Sequence, residues 1–251
     1  MITLNDFINS DWLDERALSE KYVNAKPFPH IVMKNFINKD LINRVLEEFP
    51  DLSKNKLNTT VFNDEKQIKF ASNEMDQLSP SAFHLCSFLN SSVFLKYLQS
   101  VTSINEKLIS DPYLTGGGYH QIKTGGLLKV HADFSKHSPD LKLDRRLNLI
   151  IYLNKDWEEK WGGQLSLFDD KMSQVVSVLP HFNTAILFTT TSKTYHGHPD
   201  PLTCPENISR KSLALYYFST GRPAGEIIGK HHSTLFKRRL GETFSISNLT
   251  R

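Results

Sequence analysis

The chain has only two cysteines, no apolar run long enough to cross a bilayer and no large excess of either charge, and each lack removes a class of protein. Cys86 and Cys204 lie far apart, in segments read as a helix and a loop, which leaves no disulfide framework and no cysteine zinc site. The longest apolar runs, such as Leu149 to Leu153, fall far short of the ~18–20 residues that span a hydrocarbon core. Thirty Lys and Arg against 27 Asp and Glu give a formal charge of +3, too little for a broad nucleic-acid surface. Met1 to Asp6 carry neither a basic nor an apolar signal segment, so a cytoplasmic protein is expected, with no membrane and no nucleic acid among its partners.

With 39% apolar and 23% charged residues, the 251-residue chain suits a soluble globular fold with a sizeable core. Residues 1–110 read mainly as helices. Leu41, Ile42, Val45, Leu46 and Phe49 recur at helical spacing after Asn38, a candidate N-cap, and Pro50 stops the run. A second helix is expected after Ser79-Pro80, running through Phe83, Phe88 and Leu89 and on through Phe94 to Leu98. The polar stretch Lys54–Glu65 reads as a surface loop.

From Gly116 the pattern changes to short apolar or alternating runs divided by turn residues. Strands are predicted at 119–123, 127–132, 146–154, 163–168, 174–179, 183–190, 194–198 and 211–219, the number that a jelly roll requires. The fold class expected is therefore mainly β with flanking helices (α+β): a jelly roll, or double-stranded β-helix, buttressed by N-terminal helices. The whole chain, 1–251, is read as one domain, with helical support over 1–110, the β core over 111–220 and a C-terminal extension over 221–251. In that extension Lys237-Arg238-Arg239 reads as a solvated charge cluster, with folding back onto the domain as the alternative.

His131-Ala132-Asp133 follows the alternating Leu127–Val130 segment. On a strand, residues i and i+2 point to the same side, so this imidazole and carboxylate can converge on one ion. Two imidazoles and one carboxylate, with the opposite face open, make the facial triad of non-haem Fe(II) oxygenases. A second His-x-Asp, His198-Pro199-Asp200, is interrupted by Pro199 and followed by Pro201, which places it in a loop. The third ligand must come from a distant strand. His196 and His198, in Thr194-Tyr195-His196-Gly197-His198, share one side of any extended segment and both compete for that role. If the co-substrate is 2-oxoglutarate, its distal carboxylate needs a cation, and a planar guanidinium binds carboxylate bidentately. Arg210 opens the final apolar strand and supplies one.

The run Arg145-Arg146-Leu147-Asn148-Leu149-Ile150-Ile151-Tyr152-Leu153-Asn154-Lys155-Asp156-Trp157, followed by Gly162-Gly163-Gln164-Leu165, resembles the 2-oxoglutarate/Fe(II) prolyl hydroxylase family, including the hypoxia-factor prolyl hydroxylases. The match covers about residues 116–220 and keeps the order Gly-Gly loop, His-x-Asp, Tyr-Leu-Asn-x-x-Trp, Gly-Gly-x-Leu, distal His and Arg-x-Ser. Pro27-Phe28-Pro29-His30-Ile31-Val32 with Asn35-Phe36 resembles the first strand of these oxygenases.

The resemblance implies a double-stranded β-helix in which His131, Asp133 and His196 are the catalytic iron ligands. It further implies that Tyr152 shares the distal 2-oxoglutarate carboxylate with Arg210, and that Ser212 adds a hydrogen bond. Fe(II), 2-oxoglutarate and O2 would then be used, and succinate and CO2 released. The chemistry implied is hydroxylation of an unactivated C–H, with a prolyl residue of a protein or peptide as first candidate. A free amino acid, sugar or other small molecule is the alternative substrate, and a non-catalytic jelly-roll binding protein is the alternative class. Two departures from the family pattern stand out. Gln121 or Ile122 occupies a position where many relatives carry Tyr, leaving Tyr119 as a substitute contact. The interval from His196 to Arg210 is long, and is read as a loop at the site mouth touching substrate. Trp157, Trp161 and Phe168 read as core packing.

Overall fold

The computed structural model describes residues 2–54, 58–134, 136–137, 142–226 and 233–244. Helices form where caps and apolar spacing coincide. The side chain of Asp14 accepts a hydrogen bond from the Ala17 amide to start α1 (Glu15–Asn24), and that of Asn38 accepts from the Asp40 amide to start α2 (Lys39–Glu47). Leu41, Ile42 and Val45 of α2 are buried, and Pro50 follows its end, as the spacing predicts. Ser79 caps α3 (Pro80–Leu89), with Pro80 in the first turn.

The helix expected to continue to Leu98 is instead two. Asn90 ends α3, and the Ser91 hydroxyl accepts the Phe94 amide to begin α4 (Ser92–Thr102). A serine that satisfies first-turn donors makes a new start as favourable as continuation.

Twelve strands form two antiparallel sheets. In chain order they are β1 (His30–Lys34), β2 (Thr60–Asn63), β3 (Ile68–Ser72), β4 (Gly118–Ile122), β5 (Leu128–Phe134), β6 (Asp144–Tyr152), β7 (Leu165–Phe168), β8 (Gln174–Val178), β9 (Thr184–Thr189), β10 (Tyr195–His198), β11 (Arg210–Ser219) and β12 (Ser233–Phe236). The larger sheet runs β1-β9-β6-β11-β4-β3-β2 and the smaller β12-β5-β10-β7-β8. All eight strands expected from the alternation are present, within a few residues of the predicted ends.

Strand period decides which side each residue serves. Leu147, Leu149 and Ile151 of β6 and Leu213, Leu215 and Tyr217 of β11 face the helices and share one core with Val45, Leu85, Phe94 and Leu98. Tyr152, Ile186 and Phe188 face the other way, into a second core with Leu165, Leu167 and Val178 of the smaller sheet. The sandwich is the expected double-stranded β-helix.

Two expectations need correction. Besides β1, where the resemblance implied a strand, the first 110 residues add β2 and β3 to the helices. The stretch read as a loop over Lys54–Glu65 contains β2, paired with β3 from Thr60↔Ala71 to Asn63↔Ile68, while residues 55–57 lie outside the described residues. Short polar edge strands escape a periodicity test, because one of their faces meets solvent. The basic tail is not simply solvated either. β12 pairs with β5, the Lys237 amide donates to the Val130 carbonyl, and Arg239 holds Asp200 and Glu242.

The β2–β3 hairpin also reaches the smaller sheet. Its Ile68 amide donates to the Leu127 carbonyl at 2.9 Å, and the Lys129 amide donates to the Lys66 carbonyl at 2.7 Å. One end of the sandwich is thereby closed around a cavity.

Candidate active site

His131 and Asp133 stand on β5, and His196 faces His131 across the β10–β5 pair. One ligand atom from each of the three lies within 4.8 Å of the others, and all three residues are buried. Each imidazole is oriented by its own backbone. His131 Nδ1 lies 2.8 Å from the Lys129 carbonyl and His196 Nδ1 lies 3.1 Å from that of Thr194, so Nδ1–H donates and Nε2 is left as a lone-pair donor to the cavity. Burial, then the neighbouring His196, pushes His131 down to about 3, which keeps the ring in the neutral form that ligates metal.

Asp133 is clamped by two partners on β6. Its Oδ2 accepts from Arg145 Nη2 and Asn148 Nδ2, each at 2.8 Å. Arg145 Nε in turn donates to Asn148 Oδ1 at 2.7 Å, and its guanidinium lies over the Tyr216 ring, 3.3 Å from the centroid. Burial opposes ionisation of Asp133, but Arg145, with His196 and His131 beside it, outweighs burial and holds the carboxyl well below the usual carboxylate range. This donor set of two neutral imidazole nitrogens and one ionised carboxylate, open on one side, fits Fe(II).

The strand alternation hides the clamp. Leu147 pairs with Tyr217 but Arg145 pairs with Phe218, so β6 carries one extra residue there. The bulge lets Arg145 and Asn148 both reach Asp133 although an odd spacing separates them. Arg145 and Asn148 were visible in the motif only as part of its run.

His198 is separated from the triad by another irregularity. His196 pairs with His131, but His198 pairs with Leu128, one residue out of register. His198 is buried against the same cavity, and neither of its ring nitrogens has a hydrogen-bond partner. Burial, then Arg210 and Lys69, holds its pKa well below the ordinary value. The cluster of convergent ligand atoms therefore contains His196 and omits His198.

Arg210 lies at the start of β11, buried, with Nε donating to the Gly163 carbonyl at 2.7 Å and Nη2 to the Tyr152 hydroxyl at 3.3 Å. It makes no ion pair with a carboxylate among the described residues. A buried guanidinium without a counter-ion, aimed into a cavity, fits an external carboxylate such as the distal end of 2-oxoglutarate. Gly163 makes room for it: its φ is +74°, and a Cβ there would lie 2.6 Å from Leu202 Cδ2 and 3.1 Å from Arg210 Cδ. Ser212 lines the same cavity two residues along β11.

The cavity encloses about 280 Å³. Beyond the residues named, Phe62, Gln67 and Lys69 from the β2–β3 hairpin and Thr234 and Phe236 from β12 form its walls. Sequence reasoning missed all five: Phe62 fell in the stretch read as a loop, Gln67 and Lys69 in the part read mainly as helical support, and Thr234 and Phe236 in the C-terminal extension. The structure also corrects the expected contacts near β4. Gln121 turns away, accepting from the Leu52 amide at 2.7 Å and donating to Ser209 Oγ at 3.0 Å, and Tyr119 sits in the helix-facing core bonded to Ser79. His120 and Ile122 line the cavity instead. No residue of 199–209 does so. Leu202 and Cys204 pack with Trp157 and Trp161 behind the wall.

Comparison with known proteins adds an independent line. The sequence model described as the 2OG-Fe(II) oxygenase superfamily matches residues 117–218. No curated protein matches. A prolyl-4-hydroxylase from Pseudomonas putida is similar at 14% identity over 82% of this chain and 98% of that one, with a TM-score of 0.56. A prolyl hydroxylase from Trichoplax adhaerens, solved with a hypoxia-inducible-factor peptide fragment, is similar at 17% identity over 83% and 92%, with a TM-score of 0.60. The viral collagen prolyl hydroxylase of Paramecium bursaria Chlorella virus-1, solved with 2-oxoglutarate, is similar at 14% identity over 76% and 96%, with a TM-score of 0.50. At these identities the likeness concerns the fold, and the superfamily match carries the chemistry. Motif order, fold and the superfamily match over residues 117–218 agree on a 2-oxoglutarate-dependent dioxygenase domain that uses Fe(II), 2-oxoglutarate and O2, in a fold like that of the prolyl hydroxylases.

Proposed function

We propose that the enzyme hydroxylates an unactivated C–H of a substrate entering this cavity, with His131, Asp133 and His196 holding the iron and Arg210, Tyr152 and Ser212 holding 2-oxoglutarate. The observation that carries the reading is the meeting, in one cavity, of a convergent His-Asp-His set and a buried arginine without a counter-ion. O2 would supply the oxidising power, with bound iron to activate it and 2-oxoglutarate as the co-reductant that leaves as succinate and CO2. The chain's own share is positional. Arg145 and Asn148 keep Asp133 ionised and fixed, the Thr194 and Lys129 carbonyls orient the imidazoles, and the walls from β3 and β12 exclude water.

A prolyl residue of a peptide is the first substrate to test, by likeness to the Trichoplax and Pseudomonas proteins. A small molecule is the second reading, favoured by the modest 280 Å³ of a cavity that must also admit 2-oxoglutarate. The same reading treats residues 1–251 as one oxygenase domain. Helices pack on the outer face of the larger sheet, and β12 extends the smaller one. Among the described residues no helix is long and apolar enough to cross a membrane.

The test is anaerobic reconstitution with Fe(II) and 2-oxoglutarate, followed by succinate release on admitting air. His131→Ala and His196→Ala are expected to lose iron binding and turnover, whereas His198→Ala retains stoichiometric iron. Iron binding that survives His196→Ala and is lost in His198→Ala would refute the ligand assignment.

A further inference from the structure

We propose, on the dioxygenase reading above, that the substrate carries an anionic group, a carboxylate or a phosphate, and that the Lys69 ammonium receives it. Lys69 would then be the residue that selects substrate, distinct from those that hold metal and co-substrate.

The charges lining the cavity do not balance. Lys69, Arg145 and Arg210 supply three positive charges and Asp133 the single negative one, a net +2. Iron as Fe(II) and 2-oxoglutarate as the dianion cancel each other on binding, so the +2 persists in the loaded site. A buried cavity of low polarisability holds uncompensated charge at high cost, and the missing counter-charge must come from what enters it.

Of the three cations, two already have work. Arg145 is bonded to Asp133 and Asn148 and stacked on Tyr216, and Arg210 is bonded to Tyr152 and Gly163 where the distal carboxylate of 2-oxoglutarate would be held. Lys69 makes no ion pair among the described residues. The Phe62 ring lies 4.9 Å from its Nζ and is its only partner there.

Position also separates Lys69 from the co-substrate's cation. Lys69 belongs to the β2–β3 hairpin at the edge of the larger sheet, with β4 lying between β3 and the strand of Arg210. Adjacent strands stand about 4.8 Å apart, so the two backbones are separated by roughly 10 Å. Lys69 lines the same cavity as the triad, and Asp133, Arg145 and Arg210 are the charged groups whose fields reach its ammonium. Burial pushes the ammonium down to about 8, so it remains charged at neutral pH. The neighbouring wall residue His120 is neutral, its pKa held low chiefly by burial, and supplies no counter-charge. An anion on Lys69 would thus leave the rest of the substrate between the hairpin and the metal, where a C–H must be presented.

The test uses the full chain loaded with redox-silent Mn(II) and 2-oxoglutarate. Binding of N-acetyl-L-proline, its uncharged amide and inorganic phosphate is measured by calorimetry. Acid and amide share the ring and differ in one charge, and phosphate reports the anion alone. The acid is expected to bind at least tenfold more tightly than the amide if the group is a carboxylate, and phosphate to bind with Lys69 dependence if it is a phosphate. Lys69→Met removes either effect while Mn(II) and 2-oxoglutarate affinities stay within twofold, and Lys69→Arg restores it. Anion binding that survives Lys69→Met, the absence of both anions from the wild-type site, or a parallel loss of 2-oxoglutarate affinity in Lys69→Met would overturn the proposal. A wild-type protein that fails to take up Mn(II) and 2-oxoglutarate at all would instead overturn the dioxygenase site on which the proposal rests.

Discussion

Replacing Asn148 with Leu removes a side chain that bonds both Arg145 and Asp133 while filling nearly the same space. Two buried hydrogen bonds are lost, Asn148 Nδ2 to Asp133 Oδ2 at 2.8 Å and Arg145 Nε to Asn148 Oδ1 at 2.7 Å. Each involves a charged partner, and such bonds contribute about 1.5–3 kcal/mol apiece, so the folding loss has a ceiling of about 6 kcal/mol. Iron affinity should suffer separately. Groups that orient a ligating side chain are typically worth 10–100-fold in metal affinity, or about 1.4–2.7 kcal/mol. Anaerobic Fe(II) titration against a competing chromogenic chelator measures that loss, and a thermal melt of the metal-free protein confirms that Asn148→Leu folds. The reasoning fails if the folded variant binds iron within twofold of wild type, because Asp133 would then need no second partner to hold its geometry.

Other outcomes follow from the same geometry. Arg210→Lys keeps the charge but loses the fork, and the 2-oxoglutarate KM should rise about 10–100-fold with the iron affinity unchanged. Gly163→Ala places a Cβ against Leu202 and Arg210 at a φ of +74°, so it should weaken 2-oxoglutarate binding in direct titration although it touches no ligand. Glu242 accepts from Lys129 Nζ and from the Arg239 amide and guanidinium. Burial raises its pKa, but the Arg239 and Lys129 hydrogen bonds prevail and lower it from 4.5 to about 2. A carboxyl depressed in the folded state stabilises fully above its unfolded pKa and loses that contribution as pH falls through the folded one. Chemical denaturation should therefore show a stability loss between about pH 4.5 and 2, with a ceiling of about 3 kcal/mol that solvent screening reduces to about 1–2. Glu242→Gln should flatten that part of the curve; an unchanged slope would remove Glu242 from the account.

The sheet core was legible because its signals are local. Alternation in Leu147–Ile151 and Leu213–Tyr217 follows directly from having helices on one side and a second sheet on the other. His131 and Asp133 were legible for the same reason, since their spacing alone puts them on one face. What sequence could not supply depends on register. The bulge that brings Arg145 beside Asn148 and the slip that sets His198 apart from His196 each shift one residue against a partner strand, and no pattern within a single strand records such a shift. The walls from Phe62, Lys69, Thr234 and Phe236 were hidden differently. They lie on short strands at or next to the sheet edges, whose composition is set by solvent on one side and cavity on the other, so neither side leaves an apolar trace.

The two elements that close the cavity come from distant parts of the chain, with β2–β3 emerging before any metal-site residue and β12 after all of them. During synthesis the hairpin must wait for β4 and β5 to appear before it has anything to pair with, and the wall beside His131 is missing until translation has passed Phe236. A nascent chain stalled just beyond Ser219 would hold a complete His-Asp-His set in an open-sided sandwich. The order of strands along the chain thus lets the metal site come together before the wall that shelters it from water is complete.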